Sequence, residues 1–259
     1  MKKILFITLC LVAAVGCNAN LGDVKGIKNT PGVDISKGDD GKYVTSYEGA
    51  LIPDDDEWSD GRSEMIYIIS LIGEQKGAIN DELFYERLTT KILDVEERFM
   101  YLHDTTGKDP DYWSWAFGWV GGQMTYDMIF DAVGDAYIRH YLSCAYHEVD
   151  SYLHENGYEG YHDVSQWHYD SDTHTLYTKD ASTYQAKVLY FDGDKAVLRG
   201  HLYPMWCYYD PTGHYGYRRE CPMELYLVKF VDGRDEFLQG FDLTWEDIQK
   251  LIEELGVEQ

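Results

Sequence analysis

"DELFYERLTTKILDVEERFMYLHD", Asp81 to Asp104, is the stretch on which the expected fold depends. An asparagine, Asn80, directly precedes it, and an asparagine side chain is a favourable N-cap at the start of a helix. Apolar residues then recur at the spacing of one helix face, at Leu83, Leu88, Ile92, Val95 and Phe99. The pattern therefore predicts a helix along this stretch.

The flanking segments carry helical patterns too. "SEMIYIISLIGEQ", from Ser63, is short and largely apolar. Asp109-Pro110 is typical of a helix start, and the chain then runs through "YWSWAFGWVGGQ". A long periodic segment follows, from about Met124 to His154, and Asn156-Gly157 is a suitable helix end. We expect a helical half over residues 62–157.

After Gly160 apolar and polar residues alternate, and this period of two residues predicts strands. Asp192-Gly193 and Asp232-Gly233 are typical of tight hairpin turns, so residues 160–242 are expected to form an antiparallel meander sheet. Thr244 is a suitable cap for a final amphipathic helix over 244–256. The expected fold class is α+β: a helical half, a meander sheet and a C-terminal helix within one domain, 62–259.

The composition excludes some classes of partner. The formal net charge is −24, which argues against nucleic acid and against electrostatic docking on anionic lipid headgroups. Tyrosine is abundant, at 23 residues, and aromatic side chains serve both cores and recognition surfaces.

The N-terminus has the pattern of an export signal. Lys2 and Lys3 precede an apolar run, Ile4 to Val15, that is too short to span a bilayer as a helix. Ala14-Val15-Gly16-Cys17 follows, and it resembles the lipobox of bacterial lipoproteins. The resemblance covers about the first twenty residues.

The lipobox resemblance implies that residues 1–16 are removed as a signal peptide and that Cys17 carries the lipid anchor. Residues 17–61 are then a tether with an irregular lead-in, and Asn18 after the cysteine favours the outer membrane. The sequence does not distinguish the periplasmic face of that membrane from the cell surface. The alternative is secretion of a soluble protein after cleavage near Ala19.

A second resemblance lies in the sheet region. "WHYDSDTHTLYTKD", from Trp167, is similar to opening strands of the calyx-like and sandwich domains in lipoproteins of gut Bacteroidota. Too few strands are predicted here for a complete eight-stranded lipocalin calyx.

Three cysteines, Cys144, Cys207 and Cys221, would remain in the lipidated chain. Cys207 and Cys221 flank a loop rich in Gly, Pro and Tyr, and export permits a disulfide between them. An odd count leaves one thiol unpaired or paired between molecules.

A metal site is one interpretation of the predicted long helix. His140, Cys144 and His147 would share a helix face and offer two imidazoles and a thiolate to zinc or copper. The alternative is a histidine face turned to solvent, with Cys144 open to oxidation.

The loop "YPMWCYYDPTGHYGYRREC", from Tyr203, is the main candidate for a ligand-binding surface, because functional residues favour loops on a rigid scaffold. The candidate ligand-binding residues are Trp206, Tyr208, Tyr209, His214, Tyr215, Tyr217 and Arg218. A disulfide-pinned structural loop is the alternative. The aromatic segment from Trp113 to Trp119 is either a surface on which a sugar ring stacks or a buried helix, and the buried helix is favoured.

Catalytic signatures are missing from the sequence: it contains neither G-x-S-x-G nor H-E-x-x-H. No catalytic residue and no cofactor is predicted. The sequence favours a cell-envelope lipoprotein that acts as a non-catalytic binding or accessory module for a glycan or protein partner. The alternatives are a hydrolase of glycan or peptidoglycan and a metal-binding lipoprotein.

Overall fold

The structure is a computed structural model of the chain. It describes residues 30–52 except 38, 40 and 42, and residues 62–104, 113–117, 123–130, 135–143, 162–178, 184–202 and 219–239, with 244, 246, 247 and 250.

Strands dominate the described residues. The helices described over their whole length are α1 (Arg62–Glu74), α2 (Asp81–Thr90) and α3 (Arg234–Gln239), and Glu246, Asp247 and Lys250 are helical as well. The strands are β1 (Val33–Lys37), β2 (Tyr43–Tyr47), β3 (Ala50–Leu51), β4 (Ile92–Asp104), β5 (Trp113–Phe117), β6 (Gln123–Phe130), β7 (Asp135–Ser143), β8 (His162–Asp170), β9 (Thr175–Thr178), β10 (Tyr184–Phe191), β11 (Lys195–Gly200) and β12 (Arg219–Val231).

The strands form one hydrogen-bonded sheet in the order β1-β2-β3-β5-β4-β12-β11-β10-β9-β8-β7-β6. β6 also returns to β4, where Leu93 lies opposite Met128 and Asp94 opposite Asp127. The eight strands β4 and β6 to β12 therefore pair in a closed circuit, and every pairing in it is antiparallel. We call this circuit the closed sheet. Strands β1, β2, β3 and β5 extend it outward from β4.

The expected α+β fold is wrong, because the region expected to be a helical half is largely β. The sequence predicts a helix over Ile92–Asp104, but these residues form β4. The predicted long helix is replaced by a pair of strands, Gln123–Phe130 and Asp135–Ser143. Closure of the sheet by eight strands also corrects the expectation of too few strands for a calyx.

A β-bulge explains the misread period in β4. Val95 lies opposite Val228 and Glu97 opposite Leu227, so Glu96 is an extra residue. The extra residue moves later side chains to the other face: Val95 packs inside the closed sheet and Phe99 outside it. Apolar residues at spacings of three and four in this strand therefore imitate a helix.

Other local predictions have mixed outcomes. The helix predicted from Ser63 is present as α1, and Asn80 caps α2 by accepting a hydrogen bond from the Leu83 N–H at 3.2 Å. The Asp192-Gly193 turn joins β10 to β11, with the Asp192 carboxylate accepting two backbone N–H bonds. Asp232-Gly233 instead leads from β12 into α3, so the hairpin predicted there is wrong.

The closed sheet surrounds an apolar interior, and α2 seals one end of it. The Phe84 ring lies 5.0–5.6 Å from those of Tyr169, Phe191 and Phe230, which belong to three different strands. The buried interior cluster contains Ile79, Phe84, Leu88, Leu93, Val95, Met128, Phe130, Trp167, Leu176, Ala186, Val188, Phe191, Ala196, Leu198, Leu202, Tyr226, Val228 and Phe230. We call the end under α2, with the turns at 171–174 and 192–194, the sealed end.

A second core lies outside the closed sheet, where α1 and strands β2 and β3 cover β4, β11 and β12. Its buried residues are Tyr47, Ala50, Ile52, Met65, Ile68, Ile69, Leu71, Phe99, Val197, Leu225 and Leu227. Strands β4, β11 and β12 are thus buried on both faces, which removes the polar-outward alternation typical of a half-exposed strand.

Arg234 holds α2 in place at the sealed end. Its buried guanidinium donates to the carbonyls of Leu88 at 2.8 Å, Lys91 at 3.0 and 3.1 Å, and Phe130 at 3.2 Å, and also to that of Thr89. It therefore satisfies the last turn of α2 and ties it to the end of β6.

Replacing Arg234 should loosen the sealed end. We expect Arg234→Met to lower the free energy of unfolding by about 2–4 kcal/mol, because several carbonyls lose a charged donor. Arg234→Lys should recover only part of this, since an ammonium lacks the planar fork. Urea unfolding followed by tryptophan fluorescence measures the change.

The control for Arg234 is the neighbouring ion pair of Lys91 with Asp232, at 2.6 Å, in which Asp232 is exposed. Lys91→Met should cost less than about 1 kcal/mol. An equal effect of Lys91→Met and Arg234→Met would contradict the role assigned to Arg234.

Candidate functional site

The end of the closed sheet opposite α2 carries buried polar side chains. Five residues form what we call the interior polar cluster: Arg98 on β4, Thr178 on β9, His201 after β11, and Glu224 and Tyr226 on β12. We call this the polar end of the closed sheet.

Strand register brings the cluster inside the closed sheet. Arg98 lies directly opposite Tyr226, and Glu224 directly opposite Met100. Side chains opposite each other in an antiparallel pair share a face, and Tyr226 belongs to the interior core. Arg98 and Glu224 therefore also point inward.

An ion pair forms the centre of the cluster. The Arg98 Nε donates to Glu224 Oε1 at 3.0 Å, and Arg98 Nη2 donates to the same oxygen. The side chain of Glu224 is 0 % exposed and that of Arg98 3 %. Burial alone would raise the pKa of the Glu224 carboxyl, but the charge of Arg98 and the hydrogen bonds from His201, Arg98 and Tyr226 together lower it.

His201 lies at the rim of this pair, with acceptors at both ring nitrogens. Its Nδ1 is 3.5 Å from Glu224 Oε2, and its Nε2 is 2.9 Å from the Pro222 carbonyl oxygen. The hydrogen bond with Glu224 raises the pKa of His201, and this outweighs burial, which lowers it. The protonated imidazolium is thus favoured.

The chain that leaves β11 is drawn into the interior by the same cluster. The Thr178 hydroxyl donates to the Leu202 carbonyl, and the Leu202 N–H lies 3.4 Å from the Tyr226 hydroxyl oxygen. That hydroxyl in turn donates to Glu224 Oε2. Leu202 is fully buried in the interior core. The cluster therefore positions the start of the segment 203–218.

The contacts of these side chains favour a structural role over catalysis. The Glu224 carboxylate accepts from an arginine and a tyrosine and faces a histidine, so its negative charge is held rather than poised for proton transfer. Among the described residues, no group of three or more His, Cys, Asp or Glu side chains is arranged to hold a metal ion.

A second polar group, at the sealed end, also has a structural role. The Asp81 carboxylate accepts from the Tyr169 hydroxyl and lies 2.8 Å from His174 Nδ1. Arg87 Nε donates to the Gly193 carbonyl at 2.9 Å. These contacts join α2 to the β8–β9 and β10–β11 turns and keep the end closed.

The predicted site residues fall mostly outside the described residues. This holds for the lipidation site Cys17, for Cys144, His147 and Cys207, and for the predicted ligand residues from Trp206 to Arg218. The Cys207–Cys221 disulfide and the binding loop therefore stay predictions. Cys221 itself is buried on β12, where its Sγ donates to the Met223 carbonyl at 3.1 Å.

The helical premise of the predicted metal site does not hold at its first residue. His140 lies on β7, opposite Tyr126 of β6, so helical spacing does not relate it to Cys144 and His147. The aromatic segment expected as a buried helix includes Trp113–Phe117, which forms β5 and pairs with β4.

Sequence reasoning missed Arg98, His201, Glu224 and Tyr226. One signal was present: "MELYLVKF", from Met223, places Glu224 on the same strand face as Tyr226, Val228 and Phe230. A carboxylate among inward apolar residues requires a buried partner. The partner, Arg98, lies 126 residues away along the chain, and its position depends on the fold.

No described helix combines the length and the apolar character that a membrane crossing would need. No protein-family model matches the sequence, and no curated protein matches it significantly.

Breaking the buried ion pair should cost far more than breaking an exposed one. We expect Arg98→Met or Glu224→Gln alone to lower the free energy of unfolding by about 3–5 kcal/mol, because each leaves a buried polar partner uncompensated. The double variant should cost less than the sum of the two single variants. Urea unfolding measures all three.

The control for this cycle is the ion pair of Lys229 with Glu96 on the outer face, which is partly exposed. Lys229→Met should cost less than about 1 kcal/mol. Additive effects of Arg98→Met and Glu224→Gln would show that the two side chains do not interact as described.

Proposed function

We propose that this protein is a lipid-anchored cell-envelope protein whose closed sheet is a non-catalytic binding module. The anchor is the lipid on Cys17, after removal of residues 1–16, and the outer membrane is the proposed location. The binding surface is at the polar end, and its partner is a glycan or a protein.

The two ends of the closed sheet differ, and this difference carries the proposal. The sealed end is closed by α2 and has short turns at 171–174 and 192–194. At the polar end, β9 ends and β10 begins, and β11 ends and β12 begins. The segments 179–183 and 203–218 are therefore both joined to this end.

The segment 203–218 contains the predicted ligand residues, and both of its attachment points are anchored. Leu202 is buried before it, and β12 begins after it and pairs with β4 from Arg219. A connection that is held on a rigid sheet at both ends is the usual position for recognition residues.

The charges of the chain limit the class of partner. The net charge of −24 disfavours a polyanion, whereas a neutral glycan is not repelled. Aromatic side chains such as Trp206 and Tyr209 offer large faces, and tyrosine and tryptophan add a polar group. We therefore favour a neutral glycan over other envelope components.

The anchor is tested by one substitution. In a Gram-negative host that processes lipoproteins, Cys17→Ser should move the protein from the membrane fraction to the soluble fraction or leave it as an uncleaved precursor, because the acyl chains are lost. Cys10→Ser, within the proposed signal, is the control and should stay in the membrane. Wild-type protein in membranes with an unmodified Cys17, by intact mass, would contradict the anchor.

The binding surface is tested on an array of bacterial surface glycans. We expect the chain of residues 18–259 to bind neutral glycans and the Trp206→Ala and Tyr209→Ala variants to bind about five- to thirtyfold more weakly, since loss of a stacked aromatic group costs about 1–2 kcal/mol. Tyr85→Ala is the matched control, because Tyr85 is an exposed tyrosine on α2 at the sealed end.

The same array separates the proposal from its competitors. Equal loss of binding in all three variants would contradict the proposal that the binding surface lies at the polar end. Release of shortened glycans would favour a hydrolase instead, and stoichiometric zinc or copper in the tag-free protein would favour the metal-binding alternative.

A further inference from the structure

The imidazole of His201 is a titratable group at the polar end that is partly exposed and bonded to a second strand, β12. Its side chain is 27 % exposed, while that of Glu224 is fully buried. We propose that His201 is a proton-dependent latch, which in its protonated form fixes residues 200–202 at the end of β11 against β12.

The geometry of the ring carries the proposal. The Pro222 carbonyl oxygen at Nε2 and the Glu224 carboxylate at Nδ1 are both acceptors, and neither has a proton to donate. Only the imidazolium has an N–H on each nitrogen, so only the protonated ring donates to the Pro222 carbonyl and at the same time presents a proton and a positive charge to the Glu224 carboxylate. A neutral ring places one nitrogen lone pair against an oxygen and loses that contact.

The partners of His201 leave it as the group that responds to pH. The described titratable and charged groups around it are Glu224 and Tyr226 on β12, Arg98 on β4 and Tyr184 on β10, whose ring centroid is 6.5 Å away. Glu224 keeps Arg98 and Tyr226 when His201 loses its proton, so the carboxylate stays satisfied. Deprotonation therefore weakens the contacts that His201 itself makes and leaves those of Glu224 with Arg98 and Tyr226 intact.

The backbone next to the latch is closely packed on β10. The His201 N–H donates to the Gln185 carbonyl at 2.8 Å. Gly200 has φ +139° and lies so close that a Cβ there would come within 2.1 Å of the same oxygen. Leu202 then enters the interior. Loss of one of the two ring contacts weakens the hold of β12 on residue 201, while the Gln185 carbonyl on β10 and the hydroxyls of Thr178 and Tyr226 still hold residues 201 and 202.

The direction of the pH effect follows from the shift of the histidine. The pKa of His201 is raised above its ordinary value, so the folded state binds the proton more tightly than the unfolded chain. The stabilisation is complete below the unfolded pKa of about 6.5 and is lost as the pH rises through the folded pKa. The latch is closed in mildly acidic conditions and opens toward alkaline pH.

The latch exists whether or not the polar end binds a glycan, and only its effect on binding rests on the proposed function. If the proposed function holds, opening of residues 200–202 loosens the chain at the point where the segment 203–218 follows. Binding of neutral glycans should then weaken as His201 loses its proton.

Mass spectrometry of the full lipidated chain in detergent micelles tests the latch. Exchange at the imidazole C–H measures the pKa of each histidine, and we expect that of His201 to lie above the ordinary histidine value of about 6.5. Amide exchange of a peptide containing 200–202, corrected for the intrinsic rate, should lose about tenfold in protection for each unit by which the His201 pKa is raised.

Two controls make the result decisive. His201→Gln should abolish the pH dependence of protection at 200–202, whereas His168→Gln should leave it unchanged. The central part of β11, residues 196–198, should keep its protection throughout. A His201 pKa at or below the ordinary histidine value of about 6.5, or protection at 200–202 that stays constant while His201 titrates, would overturn the proposal in the wild-type protein alone.

Discussion

The pairing of β4 with both β12 and β6 is the constraint on which the rest of the structure depends. A sheet that returns to its first strand has an inside, and side chains must fill it. Strand β4 is long enough to close the sheet through Leu93 and Asp94 and to pair with β5 through residues beyond the bulge. The outer strands and α1 can therefore cover one side of the closed sheet without opening it.

The contents of the interior explain why its two ends differ. Near α2 the interior is apolar and aromatic, and the polar groups there, Asp81 and Arg234, hold the helix across the opening. At the other end the Glu224 carboxylate is as fully buried as the leucine side chains of the core, and it requires the charge of Arg98 as a partner. Such a pair is not a gain in stability over a well-packed apolar pair. What it adds is a defined position for the chain that leaves β11.

Local features of this fold were predictable, and features that depend on closure were not. The N-cap at Asn80 and the turn at Asp192 use hydrogen bonds within three residues, which the sequence displays directly. The bulge at Glu96 gave β4 the apolar spacing of a helix. Because β4 is buried on both faces, it also lacks the alternation of apolar and polar residues that would have identified it as a strand. The interior polar cluster unites strands distant in sequence, so the carboxylate of Glu224 was visible as an anomaly but its partners were not.

The position of the buried charges bears on why the polar end is favoured for recognition. The sealed end is held by groups that satisfy a helix, and those contacts fix α2 across this end. At the polar end the Gln185 carbonyl and the hydroxyls of Thr178 and Tyr226 hold the backbone of residues 201 and 202, while the aromatic side chains of 203–218 are supplied by the chain that follows. A fixed attachment lowers the entropy that a binding segment loses when it orders on a partner. Under the proposed function, the buried ion pair contributes to recognition indirectly, because it holds Tyr226 and His201 beside residues 200–202 and its charges do not contact a ligand.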